Sequence, residues 1–361
     1  MLAIYSIIHF IANGISAYSM SAKYGKDSAY AYLFYGICAY VVPLLLGIVC
    51  DVVTSKLKID AGPIRRRFYW GVTMLGMVFA LVGMYFGLYA LGVGNALVTM
   101  GSLLGCMHDD TGKRSGAKGV GIILAAGIPG LWVGNVAADF TSAYRYIQNV
   151  WIASAIIMAL VGFMYIIYKE RSLQFVAVKQ DSDAYNGVAE TDEVIQDKFS
   201  PSYFVVAFGC ILISALGAFV ATKVIYDWRT NIVASVLVLL AVVVGRAGGS
   251  IVASVIKSKK ASILLMLVLG VLGGIAFVFC SYVLVGGDAF ALNSDGGANG
   301  IASTSSVRII FGVVAHLLMN VLLSMIAFYL VDKYKKLRGV SLGLMYVGIF
   351  VGIFASHMII S

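Results

Sequence analysis

Long apolar runs separated by short polar connections recur from one end of the chain to the other. A helix crossing a hydrocarbon core needs about 20 such residues. Eleven runs of that kind begin near Leu2, Ala29, Ile64, Gly87, Gly116, Tyr146, Ser202, Asn231, Ala261, Val307 and Gly339. Lipid offers the backbone no hydrogen bonds, so each run must be a helix or a strand of a closed barrel. Barrel strands would alternate apolar and polar residues over about ten positions, and nothing here alternates. The pattern predicts an all-α polytopic membrane protein.

The positive charges refine this picture. Of the 26 Lys and Arg residues, nineteen fall in alternate connections. Lys56, Lys58 and Arg65–Arg67 lie between the second and third helices, and Lys113, Arg114 and Lys118 follow the fourth. Lys169, Arg171, Lys179 and Lys198 follow the sixth, Lys257, Lys259 and Lys260 the eighth, and Lys333, Lys335, Lys336 and Arg338 the tenth. The remaining connections hold only Lys23, Lys26, Arg145, Lys223, Arg229 and Arg308, and Arg246 alone lies inside a run. By the positive-inside rule the N-terminus is expected in the cytoplasm, and an odd helix count puts Ser361 outside. The formal net charge of +9 then reflects anionic inner-leaflet lipid and calls for no nucleic-acid partner.

One long polar stretch, Lys169 to Pro201, carries Asp181, Asp183, Glu190, Asp192, Glu193 and Asp197 and reads as a solvated linker. The expected organisation is a six-helix bundle over 1–168, a cytoplasmic linker over 169–200 and a five-helix bundle over 201–361. Gly286 to Ser306, rich in Gly, Ser and Asn, reads as a flexible outer loop. The first run lacks a basic leader and a cleavage site, so no signal peptide is read. Cys38, Cys50, Cys106, Cys210 and Cys280 all fall within runs, with no C-x-x-C spacing, and are expected as buried thiols.

Six helices, an acidic linker and a second helix set resemble the major facilitator superfamily (MFS). Gly47-Ile-Val-Cys-Asp51, followed by Lys56 and Arg65–Arg67, resembles that family's signature between helices two and three. The resemblance implies a gate: Gly47 allows close helix packing and Asp51 meets cationic groups near helix ends to hold the outward-facing state. Gly245-Arg246-Ala247-Gly248-Gly249, ahead of Lys257–Lys260, resembles the copy in the second half, with Ala253 or Ser254 where an Asp is expected. Gly92-Val-Gly94-Asn95-Ala96 and His9-Phe-Ile-Ala-Asn13 resemble segments of little-characterised bacterial members, which often carry Asp where Asn13 stands. Gly127-Ile-Pro129-Gly130 with Gly134 resembles the antiporter motif of the fifth helix. The superfamily has twelve helices, whereas eleven are counted here.

The resemblance makes helices one, four, seven and ten the lining of a central cavity, with transport by rocking of the two halves. Polar residues at mid-depth there are the candidates for substrate binding or coupling. His9 and Asn13, Asn95 and Thr99, and His316 and Asn320 each stand four residues apart and so share a helix face. The seventh helix offers only Ser214, while Tyr5, Tyr35 and Tyr40 are candidate aromatic lining. Arg246 could bind an anion, but its place near an inner helix end assigns it to the gate with Gly47 and Asp51.

No Glu lies inside any run, and Asp51, Asp332 and Asp139 sit near run ends. A mid-depth carboxylate, the common proton carrier of transporters, is therefore missing. Proton coupling, if present, falls to His9 or His316, since imidazole titrates near pH ~6.5. The expected function is secondary transport of a small, neutral or weakly charged solute across the cytoplasmic membrane by a monomer. No metal or cofactor is expected, and without a Walker motif neither is ATP-driven pumping. A polytopic membrane enzyme would have only His108, Asp109 and Asp110 as a clustered acid–base set. A non-transporting partner or sensor subunit is the third reading.

Overall fold

The computed structural model describes all residues except 26–27, 57–61, 110–114, 141–143, 181–200, 229–231, 257, 281–305 and 361. Within the described residues all regular structure is helical. We number the helices α1 (Leu2–Tyr24), α2 (29–56), α3 (Gly62–Phe86), α4 (Leu88–Asp109), α5 (Ser115–Ala137) and α6 (Tyr144–Gln180). The second set is α7 (Pro201–Trp228), α8 (Ile232–Val255), α9 (Lys259–Val278), α10 (Ser306–Lys333) and α11 (Arg338–Ile360). Every helix begins within two residues of the start read from the apolar runs. Ten of them are long and apolar enough to cross a membrane, and α7 adds the apolar stretch Tyr203–Ala218. The chain is a multi-pass helical membrane protein, with six helices followed by five among the described residues.

The helix α6 continues to Gln180, so residues 169–180, expected in the linker, are helical. The rest of that expected linker, and the outer loop expected from Gly286 up to the start of α10, lie outside the described residues. Cys38, Cys50, Cys106, Cys210 and Cys280 are free thiols, all buried except the half-buried Cys38.

Between apolar helices in lipid there is no hydrophobic drive to associate, so close packing rests on small residues. The pair α3 and α4 shows this directly. A Cβ on Gly76 would meet the backbone of Val98, and one on Gly94 the backbone of Ala80. In the first set α1 is buried continuously from Ile11 to Ser21, with α4, α5 and α6 around it. Helices at the periphery turn Leu and Val outward, as with Leu264, Leu267, Val271 and Ile275 of α9.

The two sets meet mainly along two seams, α2 against α11 and α5 against α8. The α2 backbone is interrupted by a π turn at Ile37–Val41, where the Val42 N–H bonds to the Ile37 carbonyl five residues back. Pro43 explains it, since a proline lacks the N–H its own turn would need, and a single wide turn absorbs the mismatch. That turn carries Tyr40 to the centre of the molecule. The end of α2 and the start of α11 meet at one end of the bundle, called here the basic end.

Candidate functional site: a polar centre joining the two helix sets

Four predicted residues of the first set come together at mid-depth. His9, Asn13, Asn95 and Thr99 are all buried, each at most 6% exposed. The Asn13 side-chain amide donates to the His9 carbonyl of its own helix at 2.9 Å, and the Thr99 hydroxyl lies 3.4 Å from His9 Nδ1. Asn95 Nδ2 donates to the Tyr35 hydroxyl at 2.7 Å and to Asn13 Oδ1 at 3.5 Å. Glycines set this geometry. Gly92 lets α4 approach Cys38 and the Tyr35 carbonyl of α2, and Gly94 lets it approach α3. A Cβ on Gly127 would run into the His9 ring and the Asn13 amide. The glycines of α5 likened to an antiporter motif, Gly127, Gly130 and Gly134, all pack against α1.

The second set repeats the device. Asn320 Nδ2 donates to the His316 carbonyl at 2.8 Å, anchoring the amide to its own helix and turning its oxygen inward. That oxygen accepts from Arg246 Nε at 2.9 Å. Arg246 Nη1 also donates to the Leu124 carbonyl of α5, at 3.2 Å. Arg246 therefore sits beside Asn320, on a bond that crosses between the two sets. Its charge acts on both His9 and His316, and Tyr40 and Tyr346 are its other electrostatic neighbours. Those two tyrosines stack across the α2–α11 seam, with centroids 6.1 Å apart and planes 24° from parallel.

Two buried polar atoms of this centre have no hydrogen-bond partner among the described residues: Asn95 Oδ1 and His316 Nε2. Such atoms are uncommon in folded proteins and are candidates for a ligand's contacts.

Gly47 and Asp51 lie apart from this centre, at the basic end. Asp51 Oδ1 accepts the Gly339 N–H at 3.0 Å and Oδ2 accepts the Val340 N–H at 2.9 Å, at the start of α11. Arg338 stands beside it as the nearby cation, with Nε bonded to the Val331 carbonyl at 2.9 Å. Gly47 faces Gly339 so closely that a Cβ on either would strike the other's backbone. On the other seam, among the described residues, the polar contact is made without an acid. Ser250 Oγ donates to the Lys118 carbonyl at 2.9 Å, and Gly121 packs on Ser250 and the Arg246 carbonyl. Away from the basic end, a cavity of about 290 Å³ opens between the sets, lined by Ser16, Tyr35, Tyr40, Asn135, Phe350 and Phe354 among others.

Sequence reasoning missed Tyr346 and the backbone partners of Asp51 and Arg246. A tyrosine among 21 carries no mark, and a main-chain donor or acceptor has no residue type to find. Ser214 is buried on α7, under Gly348 of α11. The side chains of His108, Asp109 and Asp110 lie outside the described residues. No group of three His, Cys, Asp or Glu side chains with metal-holding geometry occurs among the described residues.

No protein-family profile matches the chain, and no curated protein does. Solved structures do. The chain is similar to a point variant of the E. coli fucose:proton symporter FucP, at 13% identity and a TM-score of 0.50, over 99% of this chain and 89% of that one. A second structure, FucP as an MFS transporter in the outward conformation, aligns at 12% identity and a TM-score of 0.49, over 98% and 89% of the two chains. The first likeness shows the fold: this protein has the fold of the major facilitator superfamily, with eleven helices among the described residues.

Proposed function

We propose that the protein is a secondary transporter that moves a small solute across the cytoplasmic membrane by alternating access, and that it has no enzymatic role. The organisation behind this is two rocking units, residues 1–168 and 201–361, joined through 169–200. The observation that carries the reading is the polar centre itself. Both sets contribute to it: His9, Asn13, Asn95 and Thr99 from one, His316, Asn320 and Arg246 from the other. Contacts across both seams at the basic end and an open cavity beyond the centre suit a carrier held closed at one end. The excess of Lys and Arg in the basic-end connections assigns that end to the cytoplasm, with Met1 inside and Ser361 outside.

His-mediated proton coupling is the second part of the proposal, supported by His316 Nε2, a buried ring nitrogen with no partner. The test is flux into proteoliposomes. Saturable uptake is expected, with His316→Ala and Asn13→Ala each lowering it at least tenfold without loss of folded protein. Normal uptake in both variants would overturn the site. Uptake indifferent to an imposed pH gradient would remove the coupling and leave the carrier.

A further inference from the structure

We infer that Arg246 is an anion-binding residue, and that the solute taken by the central site carries an oxyanion, a carboxylate or a phosphate. This rests on the transporter reading and names its substrate class.

Arg246 is the one Lys or Arg inside an apolar run. Its two hydrogen bonds go to neutral oxygens, Asn320 Oδ1 and the Leu124 carbonyl. Among the described residues no carboxylate is an electrostatic neighbour of it; those neighbours are Tyr40, Tyr346, His9 and His316. A guanidinium in a membrane interior with no counter-charge is costly, and such residues are retained where they pair or act on a substrate. The two bonds engage Nε and Nη1, and among the described residues Nη2 has no partner, which leaves part of the planar fork to an oxyanion whose geometry a guanidinium matches in bidentate fashion. Tyr40, Tyr346 and His316 are close enough to feel its charge, and His316 Nε2 has no hydrogen-bond partner among the described residues. The residue is half-buried, and Tyr40, its neighbour, lines the open cavity between the sets. A neutral solute would leave the charge uncompensated, and a cation would be repelled.

The same residue offers a coupling device. The bond from Nη1 to the Leu124 carbonyl joins α8 to α5, a seam that must part when the basic end opens. An oxyanion engaging the guanidinium competes with that carbonyl. Binding therefore weakens one cross-seam contact and shifts the balance toward opening.

The test uses purified full-length protein in nanodiscs, with its melting temperature read against acetate, succinate and inorganic phosphate, glucose as a neutral probe, and sodium chloride at matched ionic strength. At least one oxyanion should raise Tm saturably beyond chloride, as a ligand bound to the native state does. Acetate or succinate acting alone selects a carboxylate, and phosphate acting alone selects a phosphate. Arg246→Gln should abolish the shift, and Arg246→Lys should weaken apparent affinity at least tenfold. No saturable oxyanion shift in the unmodified protein overturns the inference, whether or not either variant folds. So does a shift that survives Arg246→Gln. Proteoliposome flux separates this from the parent reading: glucose carried equally well with and without Arg246→Gln would sink the anion site and leave the transporter. Saturable oxyanion binding with no flux of any probe would keep the site and sink the transporter.

Discussion

The Asp51 carboxylate accepts the backbone N–H of Gly339, 288 positions away, at 3.0 Å. It holds Val340 in the same way, so one side chain of α2 caps the first turn of α11. Two effects add there. A carboxylate at a helix N-terminus is favoured by the helix dipole, and its hydrogen bonds are charge-assisted, each worth about 1.5–3 kcal/mol. The bond closes the basic end only while the two helix sets are together, so its whole value favours that state.

Asp51→Asn keeps the shape, loses the charge and turns one acceptor into a donor facing another donor. The expected result is a shift toward the state open at the basic end. Spin labels on the exposed residues Ser55 and Lys335 should report a longer mean distance in the variant. An unchanged distance distribution would mean the cap does not hold the closed state.

The other seam carries the Arg246 bond to the Leu124 carbonyl and, nearer the basic end, a weaker one. Ser250 gives one neutral hydrogen bond to the Lys118 carbonyl at 2.9 Å, and interhelical bonds of this kind average roughly 0.6 kcal/mol. Ser250→Ala should therefore shift the same spin-label distance much less than Asp51→Asn. Equal shifts would show that the Ser250 bond holds the basic end as firmly as the Asp51 cap does.

How far the sequence discloses this molecule depends on the kind of signal. Helix starts were legible to within two residues because water and hydrocarbon differ so sharply as solvents. The i,i+4 pairs were legible because helix geometry puts such residues on one face, and Asn13 and Asn320 do bond back to His9 and His316. The neighbours of Arg246 were not legible, because distance along α8 says nothing of what crosses it. Its contacts come from an amide on α10 and a main-chain carbonyl on α5. Gly339 and Val340 were invisible for the same reason, since they act through N–H groups that every residue but proline has.

Gly127 tests whether the first-set cluster is functional or merely packed. A Cβ there meets the His9 ring and the Asn13 amide, so Gly127→Ala must displace one or both. Gly134→Ala presses on the same helix pair higher up, at the Gly14 carbonyl and Ala17, away from the polar residues. Both variants should lose stability to a similar degree, on the order of 1–3 kcal/mol for an overpacked site. Only Gly127→Ala should also raise the KM for flux among the molecules that remain folded. Equal flux defects at equal folded protein would reduce the His9–Asn13 cluster to packing.

Tyr346 offers the finest cut, because its ring and its hydroxyl do different work. The ring stacks on Tyr40 across the α2–α11 seam, and an aromatic pair contributes about 0.5–1.5 kcal/mol beyond burial. The hydroxyl interacts with Thr99 of the first set and with the Arg246 charge. Tyr346→Phe removes only the second role, so Tm should stay within a few degrees of the parent while substrate affinity falls several-fold. Tyr346→Ala removes both and should lower Tm as well. If Tyr346→Phe transports with unchanged KM, the hydroxyl takes no part in binding, and the residue belongs to the seam alone.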